Sequence, residues 1–323
     1  MSNVHKVDLV GVGLNATDTV IHLPAFPASG SKIEYLRETV LPGGQAATTV
    51  VACQRWGLRT RYVGKLGIDN AARIHREAFD LAGVDAHIVT APGADSAKSL
   101  ILVDPEGERT VLCRKDKRVS LQPGDLDREW IVNARALHLD GYDTAAATLA
   151  AKWARAAGIP VIADLDETYE GVEDLIDNID YLIVSRDFPG RLTSEPILET
   201  ALRKIRDRHG CILTAATLGP GGVLAWDGKR YHNACAYRVP VVDTTGAGDI
   251  FHAGFIFGLL RGWPLSRQLD FACAAAALNC MSIGARGGIQ SLETVEDLMV
   301  NGFRYEVDSQ VSAACLAEQR GPG

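Results

Sequence analysis

Short aliphatic, β-branched runs alternate with longer segments of helical period along most of the chain. Residues 7–12, 61–63, 136–139, 160–163, 181–184 and 211–214 read as strands. Between most of them lie 46–56, 71–82, 145–157 and 198–209, with apolar residues spaced for one helical face. Consecutive strands can run parallel only if the chain crosses back over the sheet, and a helix is the usual crossover. The alternation therefore predicts an α/β fold: a doubly wound, mostly parallel sheet covered on both faces, with ligands at the carboxyl ends of its strands. A chain of 323 residues is long enough for one such domain with a small appendage.

Two segments break the alternation. The stretch 18–39 is rich in Pro, Gly and Ser around the alternating run Lys32-Ile-Glu-Tyr-Leu-Arg. The stretch 98–116 reads as two strands joined by a turn centred on Pro105-Glu106-Gly107. Together they predict a small β-sheet lid inserted into a main domain of residues 1–310. The residues beyond about 308 are expected to form a helix with a frayed tail, with 311–323 as a C-terminal tail.

The most informative run is Asp243-Thr-Thr245-Gly246-Ala247-Gly248-Asp249. A strand ending at 240–242 is expected before it, and an apolar helix from Asp249 to about residue 260 after it. Glycines there let backbone N–H groups face open space at a helix N-terminus, where free donors and the helix dipole favour an anion. A carboxylate beside that anion can take a proton from an attacking hydroxyl. For an isolated Gly-x-Gly-Asp, a tight turn with a capping aspartate is the plainer reading. The full string, preceded by a strand and followed by a helix, is far more specific.

That string, Asp243 to Phe251, resembles the C-terminal signature of the ribokinase/PfkB carbohydrate kinases. The resemblance implies a ribokinase-like fold and transfer of the γ-phosphoryl group of ATP to a primary hydroxyl of a small sugar. It makes Asp249 the base and Gly246, Ala247 and Gly248 the anion hole. ATP and Mg²⁺ are implied, and K⁺ as well, because Asp243 and Thr245 fall where family members bind a monovalent cation. The alternatives are a nucleoside kinase of the same fold and a catalytically silent sugar or nucleotide sensor.

The resemblance extends over almost the full length. Gly43-Gly44-Gln-Ala-Ala-Thr48 resembles the family's Gly-Gly-x-x-x-Asn, with Thr48 in place of the asparagine that meets sugar hydroxyls. Asp18 falls in the region whose aspartate binds substrate hydroxyls; a turn-stabilising aspartate is its plain alternative. Lys32, on the lid, is placed to meet a sugar or its anionic substituent, or is simply a solvated lysine. Gly64-Lys-Leu-Gly67-Ile-Asp69 resembles Gly-x-x-Gly-x-Asp, with Ala72 for a frequent glycine. On the nucleotide side, the resemblance implicates Ser185, Thr217, Gly219 and Gly222, and Asn279 as an adenine or ribose contact; a solvated helical asparagine is the alternative. The turn 284–288 is expected to close that pocket.

Ser185-Arg-Asp-Phe188 stands where the family carries Asn-x-x-Glu, a motif of the metal–phosphate network. Asp164-Leu-Asp166-Glu-Thr168 stands for Asp-x-Asn-x-Arg, so Asp166 holds a metal-bound water or caps the next segment. With Gly-Gly-x-Ala-Ala-Thr, these departures resemble a divergent branch that includes sulfofructose kinases. Gly141-Tyr142 replaces the sulfonate-binding arginine of those enzymes, so that substrate is not expected.

Other motifs fail on context. Gly11-Val-Gly13-Leu-Asn-Ala16 nearly fits a dinucleotide fingerprint, but the next residues alternate and contain two prolines, so the required helix cannot follow. Val63-Gly-Lys65-Leu lacks the Ser/Thr of a P-loop. His138 and His252 read as packed rather than metal-bound. A net charge of −7 excludes a basic nucleic-acid surface, and the longest apolar runs are too short to cross a membrane. Seven scattered cysteines form no Cys-x-x-Cys pair, which suits a reducing cytoplasm. Lids of this family often pair between subunits, which implies a homodimer.

Overall fold

The computed structural model describes residues 6–106 and 109–306. Its strands are β1 (Val7–Val12), β2 (Ala16–His22), β3 (Arg37–Gly43), β4 (Thr60–Leu66), β5 (Asp85–Thr90), β6 (Lys98–Val103), β7 (Arg109–Arg114), β8 (Ala134–Leu139), β9 (Val161–Leu165), β10 (Tyr181–Ser185), β11 (Leu213–Thr217), β12 (Val223–Trp226) and β13 (Tyr231–Ala234). Its helices are α1 (Gln45–Arg55), α2 (Asn70–Ala82), α3 (Arg128–Val132), α4 (Thr144–Ala156), α5 (Val172–Ile176), α6 (Phe188–Thr193), α7 (Leu198–His209), α8 (Ala247–Leu260), α9 (Leu265–Asn279) and α10 (Leu292–Asn301).

The main sheet runs β13-β12-β11-β10-β9-β8-β1-β4-β5. From β5 to β11 every pairing is parallel; β12 and β13 join antiparallel at one edge. Period-two alternation splits each central strand between two buried layers. In β9, Val161, Ala163 and Leu165 pack with α4, α5 and α7, whereas Ile162 faces the layer containing α8 and α9. In β10, Leu182 and Val184 take the first layer and Ile183 the second. Helix α8 is buried around its whole circumference, lodged between the sheet, α1 and α9. A helix apolar all round is built for such a place.

The two interrupting segments form a separate sheet, β3-β2-β6-β7, as the lid expectation requires. Strand β2 pairs antiparallel with β3 and parallel with β6. The expected turn at 105–107 falls partly outside the described residues, as do the tail and its expected helix.

Two local expectations need correction. Residues 240–242 are not a strand: Val241 and Val242 are exposed, and the amides of Val242 and Asp243 both donate to the carbonyl of Cys280. The strand expected at 211–214 begins at Leu213, because Gly210 ends α7 in the left-handed region and the next amides first bond Asp180 O. Gly67 and Asp69 brace structure. A Cβ on Gly67 would stand 2.1 Å from Ala94 O, while Asp69 caps α2 and accepts from the Ser96 hydroxyl at 2.7 Å.

Candidate active site

Gly246 is in the left-handed region at φ 77°, and a Cβ there would meet Ala285 O at 2.5 Å. Only glycine fits that turn. The chain then enters α8, whose first-turn amides lack intrahelical acceptors. Of the three expected positions, Ala247 gives its N–H to Thr244 O at 3.2 Å, which leaves the amides of Gly246 and Gly248, joined by that of Asp249, without an acceptor among the described residues. A Cβ on Gly248 would meet nothing within 4 Å, so the turn opens onto free space there.

Asp249 lies at this turn, buried. Thr49 on α1 clamps its backbone, donating Oγ1–H to Asp249 O at 3.0 Å. Burial, with the nearby charge of Asp164, pushes its carboxyl up to about 8; His252 and Arg109 pull the other way. Asp164, at the end of β9, is held well above the usual carboxylate range by burial and by Asp166 and Asp140. Its Oδ2 lies 3.4 Å from His252 Nδ1, and the His252 ring sits between the carbonyls of Gly248 at 2.8 Å and Ile183 at 3.2 Å. Burial lowers the His252 pKa, against the pull of those carbonyls and of Asp249.

The expected acceptor residues converge on the same side of the lid. Asp18 on β2 is buried opposite Leu41 of β3. A Cβ on Gly43 would stand 1.9 Å from Asp18 Oδ2, so the aspartate lies directly against this glycine. Burial raises the Asp18 pKa to about 6, against the pull of the Ser99 hydroxyl, Arg286 and Arg109. Gly44 takes φ 89° at the start of α1, and Thr48 follows, buried, one turn later. Lys32 lies apart from this cluster, exposed in the segment between β2 and β3.

Two residues that the sequence reading passed over join the site. Arg286, in the loop after α9, donates Nη2–H to Gly43 O at 2.9 Å and Nε–H to Thr48 Oγ1 at 3.3 Å. The turn 284–288 was expected to close the nucleotide pocket; it instead carries an arginine to the acceptor wall. Arg109, on β7, acts on both Asp18 and Asp249 from the lid. Three glycines crowded around one arginine in Gly284-Ala-Arg286-Gly-Gly288 were the available signal.

A largely apolar cleft runs from the start of α8 toward β11. Thr217, Gly219 and Gly222 line it with Ala247, Gly248, Val241, Ala276 and Tyr305. Ser185 pairs with Thr217 at the carboxyl end of β10, beside the cleft. Asn279 does not line it. Its amide donates to Thr245 O at 3.1 Å and Ala285 O at 3.2 Å, and its Oδ1 accepts from Gly288 N at 3.2 Å. That asparagine stitches the Arg286 loop to the Asp249 turn, which corrects the expectation of a nucleotide contact. Asp243 does the same, accepting from Thr245 N at 2.8 Å and Gly284 N at 2.7 Å.

Among the described residues, no group of three or more His, Cys, Asp or Glu side chains forms a metal cage. The Oδ1 of Asp166 and the Oγ1 of Thr245 are buried oxygens without a partner there. A lone carboxylate oxygen like that of Asp166 fits a hydrated Mg²⁺ brought by phosphates. No helix among the described residues is long and apolar enough to cross a membrane.

The pfkB family carbohydrate kinase model matches residues 9–292. The acarbose 7(IV)-phosphotransferase of an Actinoplanes species is 29% identical over 293 residues, covering 87% of this chain and 94% of that one. The 5-dehydro-2-deoxygluconokinase of Geobacillus thermodenitrificans is 24% identical over 322 residues, covering 91% and 93%. Among solved structures, Arabidopsis thaliana ribokinase complexed with ribose and ATP superposes with a TM-score of 0.76 at 24% identity, over 91% of this chain and 98% of that one. With the family match spanning most of its length and the ribokinase fold around the site, the chain belongs to the pfkB family of carbohydrate kinases and is a sugar kinase.

Proposed function

We propose that this sugar kinase transfers the γ-phosphoryl group of ATP to a primary hydroxyl of a small sugar, with Asp249 as the base. The observation that carries this reading is the position of Asp249. It is buried at the turn where the open amides of α8 begin, with the apolar cleft on one side and Asp18 on the other.

The base of the nucleotide fits the apolar cleft, and its phosphates reach the amides of Gly248 and Asp249. The acceptor lies against Asp18, Gly43, Gly44 and Thr48, with Lys32 at the lid. Asp249, in its ionised form, takes the hydroxyl proton as the oxygen attacks the γ-phosphorus, and the bond to the β-phosphate oxygen breaks. Charge building on the transferred group is met by the preorganised amides, each typically worth about 3–4 kcal/mol. Mg²⁺ supplies further neutralisation of that charge, and Asp166 would hold it through water; Thr245 would hold a monovalent cation.

The lid shields the acceptor from water, so that ATP is not wasted by hydrolysis. Its outer strands expose Val40, Val111 and Leu112, and Leu36 just before β3 is also exposed. Apolar side chains on exposed sheet edges favour pairing with a second sheet, so a homodimer through the lid is part of this reading. The relatives' names cover different acceptors and do not single one out.

Phosphorus NMR of the product tests the proposal. A phosphomonoester split into a triplet by two methylene protons places phosphate on a primary carbon. Splitting by a single proton would place it on a secondary carbon and contradict this reading.

A further inference from the structure

Arg286 is a buried cation without a direct salt bridge, reached only at longer range by the charges of Asp18 and Asp249. It is 8% exposed, and no carboxylate among the described residues lies within salt-bridge distance of it. Its Nε and Nη2 are held by Thr48 and Gly43, the two acceptor-wall positions. Its Nη1 is buried and makes no hydrogen bond among the described residues. The side chain cannot retreat, because the guanidinium lies over the Phe79 ring at 5.7 Å and its own backbone carbonyl accepts from Arg55 at 3.3 Å.

A buried, unpaired guanidinium is expensive, and removing an ion from water costs several kcal/mol unless a counter-charge meets it. Folded chains tolerate such a group where a ligand completes it. The Thr48 side chain ends against the guanidinium, its hydroxyl accepting from Nε at 3.3 Å. A second guanidinium, Arg109, acts on Asp18 and Asp249 from the lid. Burial lowers the Arg286 pKa to about 10, which leaves it charged at neutral pH.

Resting on the kinase reading, we propose that the acceptor is a sugar acid whose carboxylate is received by the free Nη1 edge of Arg286, at the end of the molecule remote from the phosphorylated hydroxyl. A planar carboxylate matches the edge of a single guanidinium. A phosphate dianion asks for more donors than this one edge offers.

The test compares kcat/KM for aldonic and ketoaldonic acids with the parent neutral sugars of equal chain length, and with sugar phosphates, under Mg-ATP. The wild type should favour an acid over its parent sugar by about tenfold or more, as expected for one charge-assisted pair. Arg286→Gln should remove that preference, lowering the acid-to-sugar ratio by about tenfold or more, to near one. Arg286→Lys should fall between the two, because it keeps the charge and loses the fork. If Arg286→Gln fails to fold, the wild-type preference and the lysine variant decide. Equal or better turnover of neutral sugars or sugar phosphates, or an acid preference untouched in the variants, would overturn this inference and leave the kinase standing. No ADP release with any acceptor would overturn both.

Discussion

Gly43 and Asp18 occupy one another's space: a Cβ on residue 43 would stand 1.9 Å from Oδ2 of Asp18. The aspartate lies flat against the lid strand only because its neighbour has no side chain. Gly43→Ala should therefore displace the carboxylate and raise the acceptor KM by about tenfold, the order expected when one hydrogen-bonding group of a pocket is misplaced. KM for ATP, measured in the same assays, should change far less. An equal rise in both would mean that Asp18 does not belong to the acceptor side.

Gly246 and Gly248 are two residues apart and should respond oppositely. An alanine at 246 needs a left-handed backbone at φ 77° and collides with the Ala285 backbone, so it should cost more than the roughly 1–2 kcal/mol of the backbone conformation alone. An alanine at 248 meets nothing, and in a helix it is favoured over glycine by about 1 kcal/mol. Its methyl would project where the phosphates are proposed to lie. Thermal melts should show Gly248→Ala at least as stable as wild type, with a raised KM for ATP.

Asn279→Ala should act on stability. It strips partners from Thr245 O, Ala285 O and Gly288 N, all in a dry environment. Orphaned groups of this kind cost about 1–3 kcal/mol each, so urea unfolding should show a loss of about 3 kcal/mol or more. KM for ATP below the new melting temperature should stay within a fewfold of wild type.

Much of the scaffold was legible in the sequence. Helix α7 runs over the span its period predicts, and β1 begins and ends where its aliphatic run does, because one buried face per element leaves a local periodic trace. The Asp249 turn was legible because turn, anion site and base are contiguous in the chain. Arg286 was not: it sits more than 230 residues from Thr48 and meets it only after α8 packs between α1 and α9. Asn279 and residues 240–242 misled for the converse reason. Their local character suits a ligand contact and a strand, but tertiary contacts spend the asparagine on three backbone groups and leave Val241 lining a cleft.

The raised pKa of Asp249 ties stability to pH. An unfolded aspartate titrates near 3.8, whereas the folded one holds its proton up to about 8. Between those values the folded state binds the extra proton, so this group's contribution to stability falls as pH rises through that window and levels off above it. In Asp249→Asn the contribution is absent. The melting temperature of the variant relative to wild type should therefore climb from pH 4 to pH 8. A constant difference across that range would show that the carboxyl is not held protonated.

The central claim is that Asp249 deprotonates a sugar hydroxyl beside the α8 turn. ADP release with Mg-ATP, measured over a panel of sugars, sugar acids, sugar phosphates and nucleosides for wild type and Asp249→Asn, tests it most directly. The account predicts turnover on a sugar-class acceptor that falls by about a hundredfold or more in the variant, the scale of a lost general base, while Mg-ATP binding persists. Turnover unchanged in Asp249→Asn would contradict it, as would saturable binding of sugar and ATP with no transfer to any acceptor.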